Sequence, residues 1–198
     1  MKSSIFPLAE KLRPQNLDEC EGQDHLIGKG KILYSFIENK KISSLIFWGP
    51  PGSGKTTISR ILVQSLGVPS IEFSATISSI GEVRDIMAKA MQIKKLEGQP
   101  LVVFVDEIHH FNKHSQDAFL PFVERGDIIL IGTTIENPAY KINRALLSRI
   151  KVLEFYTLDQ SHLEKVLKKA VLFLEKNMGV KIKLTQEINH LILSYSSG

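Results

Sequence analysis

The sequence GPPGSGKT at residues 49–56 decides how the rest of this chain is interpreted. An apolar run, Leu45–Trp48, comes directly before it, and residues 57–63 place apolar side chains at helical spacing after it. The order is therefore strand, glycine-rich loop and helix. In that order the pattern G-x-x-x-x-G-K-[ST] predicts a phosphate-binding loop rather than a chance match in a turn.

Each part of this loop has a physical role toward a bound polyphosphate. The glycines allow backbone N–H groups to approach the phosphates closely, and the helix that begins near Lys55 directs its positive end to the same place. We expect Lys55 to contact the β- and γ-phosphates and Thr56 to bind Mg²⁺ through its hydroxyl. The predicted nucleotide-binding residues are Gly49, Pro50, Pro51, Gly52, Ser53, Gly54, Lys55, Thr56 and Thr57.

Composition bounds the class of protein. The chain has 198 residues, of which 43% are hydrophobic, enough for a large core. Its one cysteine, Cys20, excludes an intrachain disulfide, and no run approaches the roughly 18 apolar residues of a membrane span. We therefore expect a cytoplasmic protein with no membrane partner. The net charge of +4 is spread along the chain and fits either solvated faces or a nucleic-acid surface.

Apolar segments that predict strands alternate with segments of helical periodicity. The strands are predicted at 45–48, 70–74, 101–105, 127–132 and 152–155, and the helices at 31–38, 55–66, 80–93, 113–123 and 143–149. Gly67 is the expected end of the second helix, and Ser78 is the expected cap of the third. This alternation predicts an α/β fold with three layers and a mostly parallel five-stranded sheet.

The chain is predicted to contain an arm, a core and part of a further domain. Residues 1–30 hold few apolar positions and several prolines and glycines, so we expect an arm rather than a core element. Residues 31–157 carry the alternating strands and helices of the core. In residues 158–198 the pattern changes to two amphipathic helices separated near Gly179, which predicts the start of a helical lid domain.

Two acids, Asp106 and Glu107, follow the apolar strand at 101–105. In a parallel sheet the end of this strand lies at the same edge as the phosphate loop, where ligands bind. Asp106 is then expected to hold Mg²⁺, and Glu107 to orient and polarise a water for attack on the γ-phosphate. Without the loop, a pair of solvated acids would explain them equally well.

Two further positions are weaker candidates on spacing alone. One of Thr133 and Thr134, at the end of the next strand, is placed to hydrogen-bond the attacking water or the γ-phosphate. Arg149, at the end of a short helix, either lies on the surface or reaches the γ-phosphate of a neighbouring subunit as an arginine finger. Arg144 competes for that second role.

Three histidines lie close together at His109, His110 and His114. A one-turn spacing between His110 and His114 suits a metal site. No further cysteine or clustered histidine accompanies them, so we instead expect His109 to pack behind the acidic pair.

These motifs resemble those of a known family. The loop with its double proline is similar to the phosphate loop of AAA+ ATPases, Asp106 and Glu107 resemble their Walker B pair, and Thr134 resembles their sensor 1. Within that class the match narrows to the replication-associated recombination protein (RarA, or MgsA) family, relatives of the Werner-helicase-interacting protein. The segments that carry this resemblance are residues 7–9, 13–14, 22–26, 48–52, 106–113, 136–138 and 145–149.

The resemblance implies an ATPase that uses ATP and Mg²⁺ in DNA replication and recombination at stalled forks. It implies that DNA at single-strand/double-strand junctions and single-stranded-DNA-binding protein are partners, and that the protein is a homotetramer associated with the nucleoid. It also implies that Arg149 is an arginine finger acting across subunits. The family's N-terminal box implies that Leu17, His25 or Leu26 contacts the adenine.

Other functions remain open at this stage. A clamp-loader-like scaffold subunit would bind ATP and DNA but hydrolyse ATP slowly, and a RuvB-like subunit would drive branch migration. A metabolic kinase would leave Glu107 and Arg149 unexplained.

The chain also departs from the RarA pattern. His110 and Ser115 stand where the family usually has arginine and glutamine. The chain ends at Gly198, before the sensor 2 arginine of the lid. We therefore expect nucleotide binding to be retained more readily than hydrolysis or assembly.

Overall fold

A computed structural model describes residues 7–76 and 80–196 of the chain. Five strands form one sheet in the order β2-β3-β4-β1-β5, and every neighbouring pair is parallel. The strands are β1 (Leu45–Trp48), β2 (Ser70–Ser74), β3 (Leu101–Asp106), β4 (Ile128–Thr134) and β5 (Lys151–Glu154). The predicted sheet is therefore confirmed, and it is parallel throughout.

Helices cover both faces of this sheet. They are α1 (Leu8–Lys11), α2 (Ile32–Glu38), α3 (Lys55–Leu66), α4 (Ile80–Glu97), α5 (Lys113–Asp117), α6 (Leu120–Glu124), α7 (Pro138–Lys141), α8 (Arg144–Leu147), α9 (Gln160–Met178) and α10 (Gln186–Tyr195). Short 3₁₀ helices span Leu17–Glu19 and Ile108–His110.

Alternate residues of the central strands are buried on opposite faces of the sheet. On one face Val103 and Val105 of β3 join a cluster with side chains of α4, α6 and α8, and on the other Val102 and Phe104 join a cluster with α2 and α3. All four valine and phenylalanine side chains are at most 1% exposed. Successive strand residues point to opposite faces, so the sheet carries two cores and the predicted three layers are confirmed.

Several helix limits differ from prediction. Helix α4 continues to Glu97 where a loop was predicted from residue 94, because two lysines in its last turn suit the negative end of a helix. The predicted helix 113–123 is split into α5 and α6, and Pro121 lies in the first turn of α6, where its missing N–H costs nothing. The predicted cap Ser78 lies outside the described residues.

The N-terminal segment was predicted as an arm outside the core, and that prediction is wrong for part of it. Leu17 and Leu26 are only 4% and 6% exposed, and both belong to the cluster on the α2–α3 face of the sheet. Two apolar residues separated by loop-forming sequence give no periodic signal. Their burial is decided by tertiary contact.

Gln23 fastens this segment to the rest of the domain. Its buried side-chain amide donates to the carbonyl oxygens of Tyr156 at 2.7 Å and Ser53 at 3.1 Å, and it accepts from the Tyr156 backbone N–H at 3.0 Å. Gln23 has a positive φ of 61°. One side chain thus connects the N-terminal segment, the phosphate loop and the residues after β5.

A close backbone contact fixes the start of the phosphate loop. The N–H of Phe155, the residue after β5, donates to the carbonyl oxygen of Trp48, the last residue of β1, at 2.7 Å. A Cβ at Gly49 would lie 2.2 Å from the Phe155 carbonyl oxygen, so no larger residue fits there without moving backbone.

The last two helices carry clear end signals. The Asp159 side chain caps α9 by accepting from the His162 N–H at 2.9 Å, Thr185 caps α10, and Gly179 ends α9 in the left-handed region. Within residues 7–76 and 80–196, no helix combines the length and the apolar character that crossing a membrane requires.

Replacing Gln23 by alanine should destabilise the fold. The change leaves two carbonyl oxygens and one N–H of Ser53 and Tyr156 without partners, at a cost of about 2–4 kcal/mol in the free energy of unfolding. Denaturant unfolding measures it. As a control, Gln15→Ala removes an exposed amide and should cost less than about 0.5 kcal/mol. Equal losses for both variants would contradict the role of Gln23.

Replacing Gly49 by alanine should also destabilise the fold, because the new methyl group meets backbone that cannot rotate away. We expect a loss of about 2–3 kcal/mol in urea unfolding. Gly98→Ala is the control: Gly98 has φ +70° with open space around it, so only left-handed strain of about 1 kcal/mol applies. If the Gly98 variant lost more stability than the Gly49 variant, the close approach to Phe155 would not be limiting.

Candidate nucleotide-binding site

The phosphate loop connects β1 to α3 in a conformation that depends on its glycines. Gly52 and Gly54 have φ values of 71° and 94°, in the region that side chains disfavour. The Ser53 hydroxyl donates to the Pro50 carbonyl oxygen at 2.7 Å across the loop. The predicted loop residues therefore form one compact turn at the N-terminal end of α3.

Lys55 lies inside this turn. Its side chain is buried, and Nζ donates to the carbonyl oxygens of Gly49 at 2.8 Å and Pro50 at 2.7 Å. Burial lowers the pKa of Lys55, while the carboxylates of Glu107 and Asp106 oppose that shift. The ammonium group is thus held by two carbonyls and two nearby acids at the loop, where a phosphate would compete for it.

Asp106, the last residue of β3, contacts side chains of α3 and β4. Its Oδ1 accepts from the Thr56 hydroxyl at 3.1 Å and from the Thr133 hydroxyl. Hydroxyl and carboxylate oxygens are the ligand types that Mg²⁺ prefers, with waters and substrate phosphates completing its coordination. The donor set of Thr56 and Asp106 therefore fits Mg²⁺. The described residues contain no group of three or more His, Cys, Asp or Glu suited to a metal ion.

Glu107 turns the chain sharply at the end of β3. It has φ 55° and ψ 48°, a left-handed conformation that is rare and costly for a side chain of this size. Its N–H donates to the Thr133 hydroxyl at 3.0 Å. Its Oε2 is buried without a hydrogen bond and lies 3.1 Å from Nδ1 of His109. The strain is the kind that accumulates at functional sites.

The two threonines at the end of β4 have different surroundings, although both are fully buried. Thr133 contacts Asp106 and the Glu107 backbone. The Thr134 hydroxyl accepts from the Glu136 N–H at 3.0 Å, donates to the Glu136 carbonyl oxygen at 3.1 Å and lies 3.1 Å from Nδ1 of His109. The structure brings Thr133 to the acidic pair directly and Thr134 only through His109, a distinction that spacing did not provide.

His109 packs against the acidic pair, as expected. Burial lowers its pKa, and the Glu107 carboxylate acts in the opposite direction. The neighbouring His110 is exposed and its ring centroid lies 4.4 Å from that of His109.

Arg149 lies apart from the phosphate loop of its own chain. Nε pairs with Oε1 of Glu124 at 2.6 Å, and Nη1 donates to the Ala145 carbonyl oxygen and the Ser148 hydroxyl. The side chain is 41% exposed. Its contacts are thus all with α6 and α8, so the residue is accessible to another molecule.

A cavity of about 400 Å³ opens beside the loop. The N-terminal segment, the phosphate loop, α3 and α9 all line it, and its apolar wall consists of Leu12, Pro14, Ile58, Leu158 and Val166. Thr57 also lines it, and the Arg13 guanidinium donates to the Thr57 hydroxyl at 3.0 Å. A flat apolar base fits such a wall.

The predicted adenine contacts are not in this cavity. Leu17 and Leu26 are in the core instead, and His25 stacks on Tyr156 with ring centroids 4.4 Å apart. The residues that sequence reasoning missed lie far apart in the chain. No local pattern pairs Leu12 with Leu158.

Cys20 also lines the cavity. Burial, reinforced by the neighbouring Glu19, raises the pKa of its thiol to about 11. The thiol is therefore protonated and unreactive near neutral pH.

Comparison with known proteins agrees with this geometry. Residues 45–158 match the model of the family described as "ATPase family associated with various cellular activities (AAA)". The chain is 42% identical to replication-associated recombination protein A of Coxiella burnetii, over 99% of this chain and 44% of that protein, and equally similar to that of Haemophilus influenzae over the whole chain. ATPase WRNIP1 of Dictyostelium discoideum is 37% identical over 86% of the chain and 19% of its own length.

Among solved structures, the Holliday junction branch migration motor RuvB of Thermotoga maritima superposes with a TM-score of 0.67 at 26% identity. That match covers 87% of this chain and 56% of the RuvB chain. The chain spans less than half the length of the curated relatives named above. The AAA family model matches more than half of the residues of this chain, and the site geometry agrees with that match. The chain therefore belongs to the AAA ATPase family, and within it is similar to replication-associated recombination protein A.

Proposed function

We propose that this chain binds ATP with Mg²⁺ and hydrolyses the bond to the γ-phosphate. The observation that carries the proposal is the contact of Thr56 with Asp106, at 3.1 Å, between the phosphate loop and an acidic pair at one edge of the sheet. Oxygen ligands, a buried ammonium group and a carboxylate with an unpaired oxygen are then within one site.

Each residue of the site has a separate role in this proposal. Lys55 and the backbone N–H groups of residues 49 and 52–57 bind the phosphates, and the apolar cavity holds the base. Thr56 and Asp106 hold Mg²⁺, which when bound neutralises charge on the phosphate oxygens. Glu107 accepts a proton from the attacking water and orients it. Thr134 acts as sensor 1 at the end of β4.

Arg149 is proposed to act on the nucleotide of a neighbouring subunit. Its contacts with Glu124 and its own helix are exposed, and such a pair contributes little stability. The guanidinium can therefore exchange Glu124 for a γ-phosphate at little cost. This role requires an oligomer, and we propose a homotetramer.

The cellular role follows from the relatives. We propose that the chain acts in DNA replication and recombination, at stalled forks and junctions, in the cytoplasm and at the nucleoid, with single-stranded-DNA-binding protein as a partner. Identity of 42% to replication-associated recombination protein A, against 26% to RuvB, favours this over a branch-migration motor. We place the ATPase core at residues 31–157 and the start of the lid at 158–198.

Replacing Glu107 by glutamine should separate binding from hydrolysis. The amide keeps the size of the side chain but cannot accept the proton, so kcat should fall by about 100-fold or more. Affinity for ATP should stay unchanged, because Lys55 and the loop are intact. Steady-state turnover and equilibrium titration with a fluorescent ATP analogue measure the two quantities.

Glu97→Gln is the matched control, since Glu97 is exposed at the end of α4. It should behave as the unaltered chain does. Turnover that survives in the Glu107 variant would remove Glu107 from the role of base.

Mixing two inactive variants tests whether Arg149 acts between subunits. Arg149→Ala should lower kcat by about 1,000-fold or more, and Lys55→Ala should abolish phosphate binding. A mixture of the two should regain part of the turnover, because some interfaces then pair an intact loop with an intact arginine.

Arg125→Ala is the control, because Arg125 is also exposed and paired with an acid, Asp127. It should leave turnover unchanged. A mixture no more active than its two components would place the action of Arg149 within its own subunit or outside catalysis.

A further inference from the structure

One ring nitrogen of His109 lies close to two acceptor oxygens, one at the end of β3 and one at the end of β4. Nδ1 lies 3.1 Å from Oε2 of Glu107, at the end of β3, and 3.1 Å from Oγ1 of Thr134, at the end of β4. The His109 side chain is only 8% exposed. The Glu107 oxygen is buried and has no hydrogen bond of its own. His109 therefore places a polar ring nitrogen beside an unsatisfied oxygen of the proposed base.

The hydrogen bonds of Thr134 decide which tautomer His109 adopts. A threonine hydroxyl has one hydrogen, and the Glu136 carbonyl oxygen, at 3.1 Å, is placed to accept it. The contact with His109 then requires the hydrogen to be on Nδ1. A bare Nδ1 would also place its lone pair against the Glu107 carboxylate, which is repulsive. Both neighbours thus select the tautomer with Nδ1–H.

We infer that His109 is a positioning residue for Glu107, holding the carboxylate in the orientation that activates water. With the hydrogen on Nδ1, the Thr134 hydroxyl and Oε2 of Glu107 both lie within reach of it, each 3.1 Å from the nitrogen. Because the two acceptors compete for one hydrogen, movement of residues 134–136 changes how firmly the base is held. This inference rests on the proposed function, since it requires Glu107 to be the base.

The chain connects the Thr134 side of this contact to the proposed arginine finger. Residues 134–136 lead into α7 and α8, and α8 precedes Arg149. A neighbouring nucleotide that displaces this segment would release Nδ1–H from Thr134 and free it for Glu107. His109 thereby connects the base of one site to the segment that carries the proposed finger for the next.

Two substitutions of similar size separate positioning from packing. In His109→Asn the side-chain amide nitrogen occupies the place of Nδ1, so a donor to Glu107 is kept. In His109→Gln the amide reaches the place of the other ring nitrogen, and that donor is lost. We expect the glutamine variant to lose kcat by about 10- to 100-fold at unchanged ATP affinity, and the asparagine variant to keep most of its turnover.

His110→Ala is the control for the region, because the His110 side chain is exposed and its ring lies beside that of His109, with centroids 4.4 Å apart. It should leave kcat unchanged. Combining His109→Gln with Glu107→Gln should cause no loss beyond that of Glu107→Gln alone, since His109 acts through Glu107. Additive losses in this double variant would overturn the inference.

The tautomer can be measured without turnover. The ¹⁵N spectrum of the ring in the unaltered chain should show a protonated Nδ1, and a ring protonated only at Nε2 would overturn the inference even if a variant failed to fold. Equal turnover in the asparagine, glutamine and unaltered proteins would also overturn it while leaving the ATPase proposal intact. Absence of turnover in the unaltered chain, with or without DNA, would instead overturn the ATPase proposal, and the inference with it.

Discussion

The parallel arrangement of five strands is the constraint on which the site depends. Because all strands run the same way, their carboxyl ends meet at one edge, and the order β3-β4-β1 places three of these ends side by side. Asp106, Thr133 and Gly49 lie at the carboxyl ends of these three strands. Parallel strands need long connections, so residues from positions 49, 106 and 133 meet although they are far apart in the chain. The hydrogen bonds to Asp106 are the direct result.

Within this edge, stability is given up for chemistry. Glu107 has a left-handed backbone and a buried oxygen without a hydrogen bond, and Lys55 is buried against its preference for water. Each of these features costs free energy of folding. The two apolar clusters that sandwich the sheet stabilise the fold that tolerates them. Thr133 stabilises the strained residue by accepting from its N–H.

The cavity beside the loop is assembled differently, from segments with weaker ties. Gln23 holds the N-terminal segment to the loop through buried hydrogen bonds, whereas α9 reaches that segment through Lys169, whose Nζ lies 2.6 Å from Oε1 of Glu21. Lys169 is half exposed, and ion pairs of this kind contribute little. One wall of this cavity is thus attached by buried hydrogen bonds and the other by a half-exposed ion pair.

The sequence by itself determined the elements with strong local signals. The phosphate loop, strands β1 and β2 and the end of α3 at Gly67 follow from glycine geometry and apolar runs, which need no partner segment. Local sequence also placed Asp106 and Glu107 at a strand end.

Only the tertiary structure decided which distant residues meet. It buried Leu17, gave Gln23 its three partners and distinguished Thr133 from Thr134. It also set the apolar wall of the cavity beside the loop. The physical reason is that burial and side-chain hydrogen bonds depend on the chain's path through space, and a residue's neighbours in sequence do not contain that information.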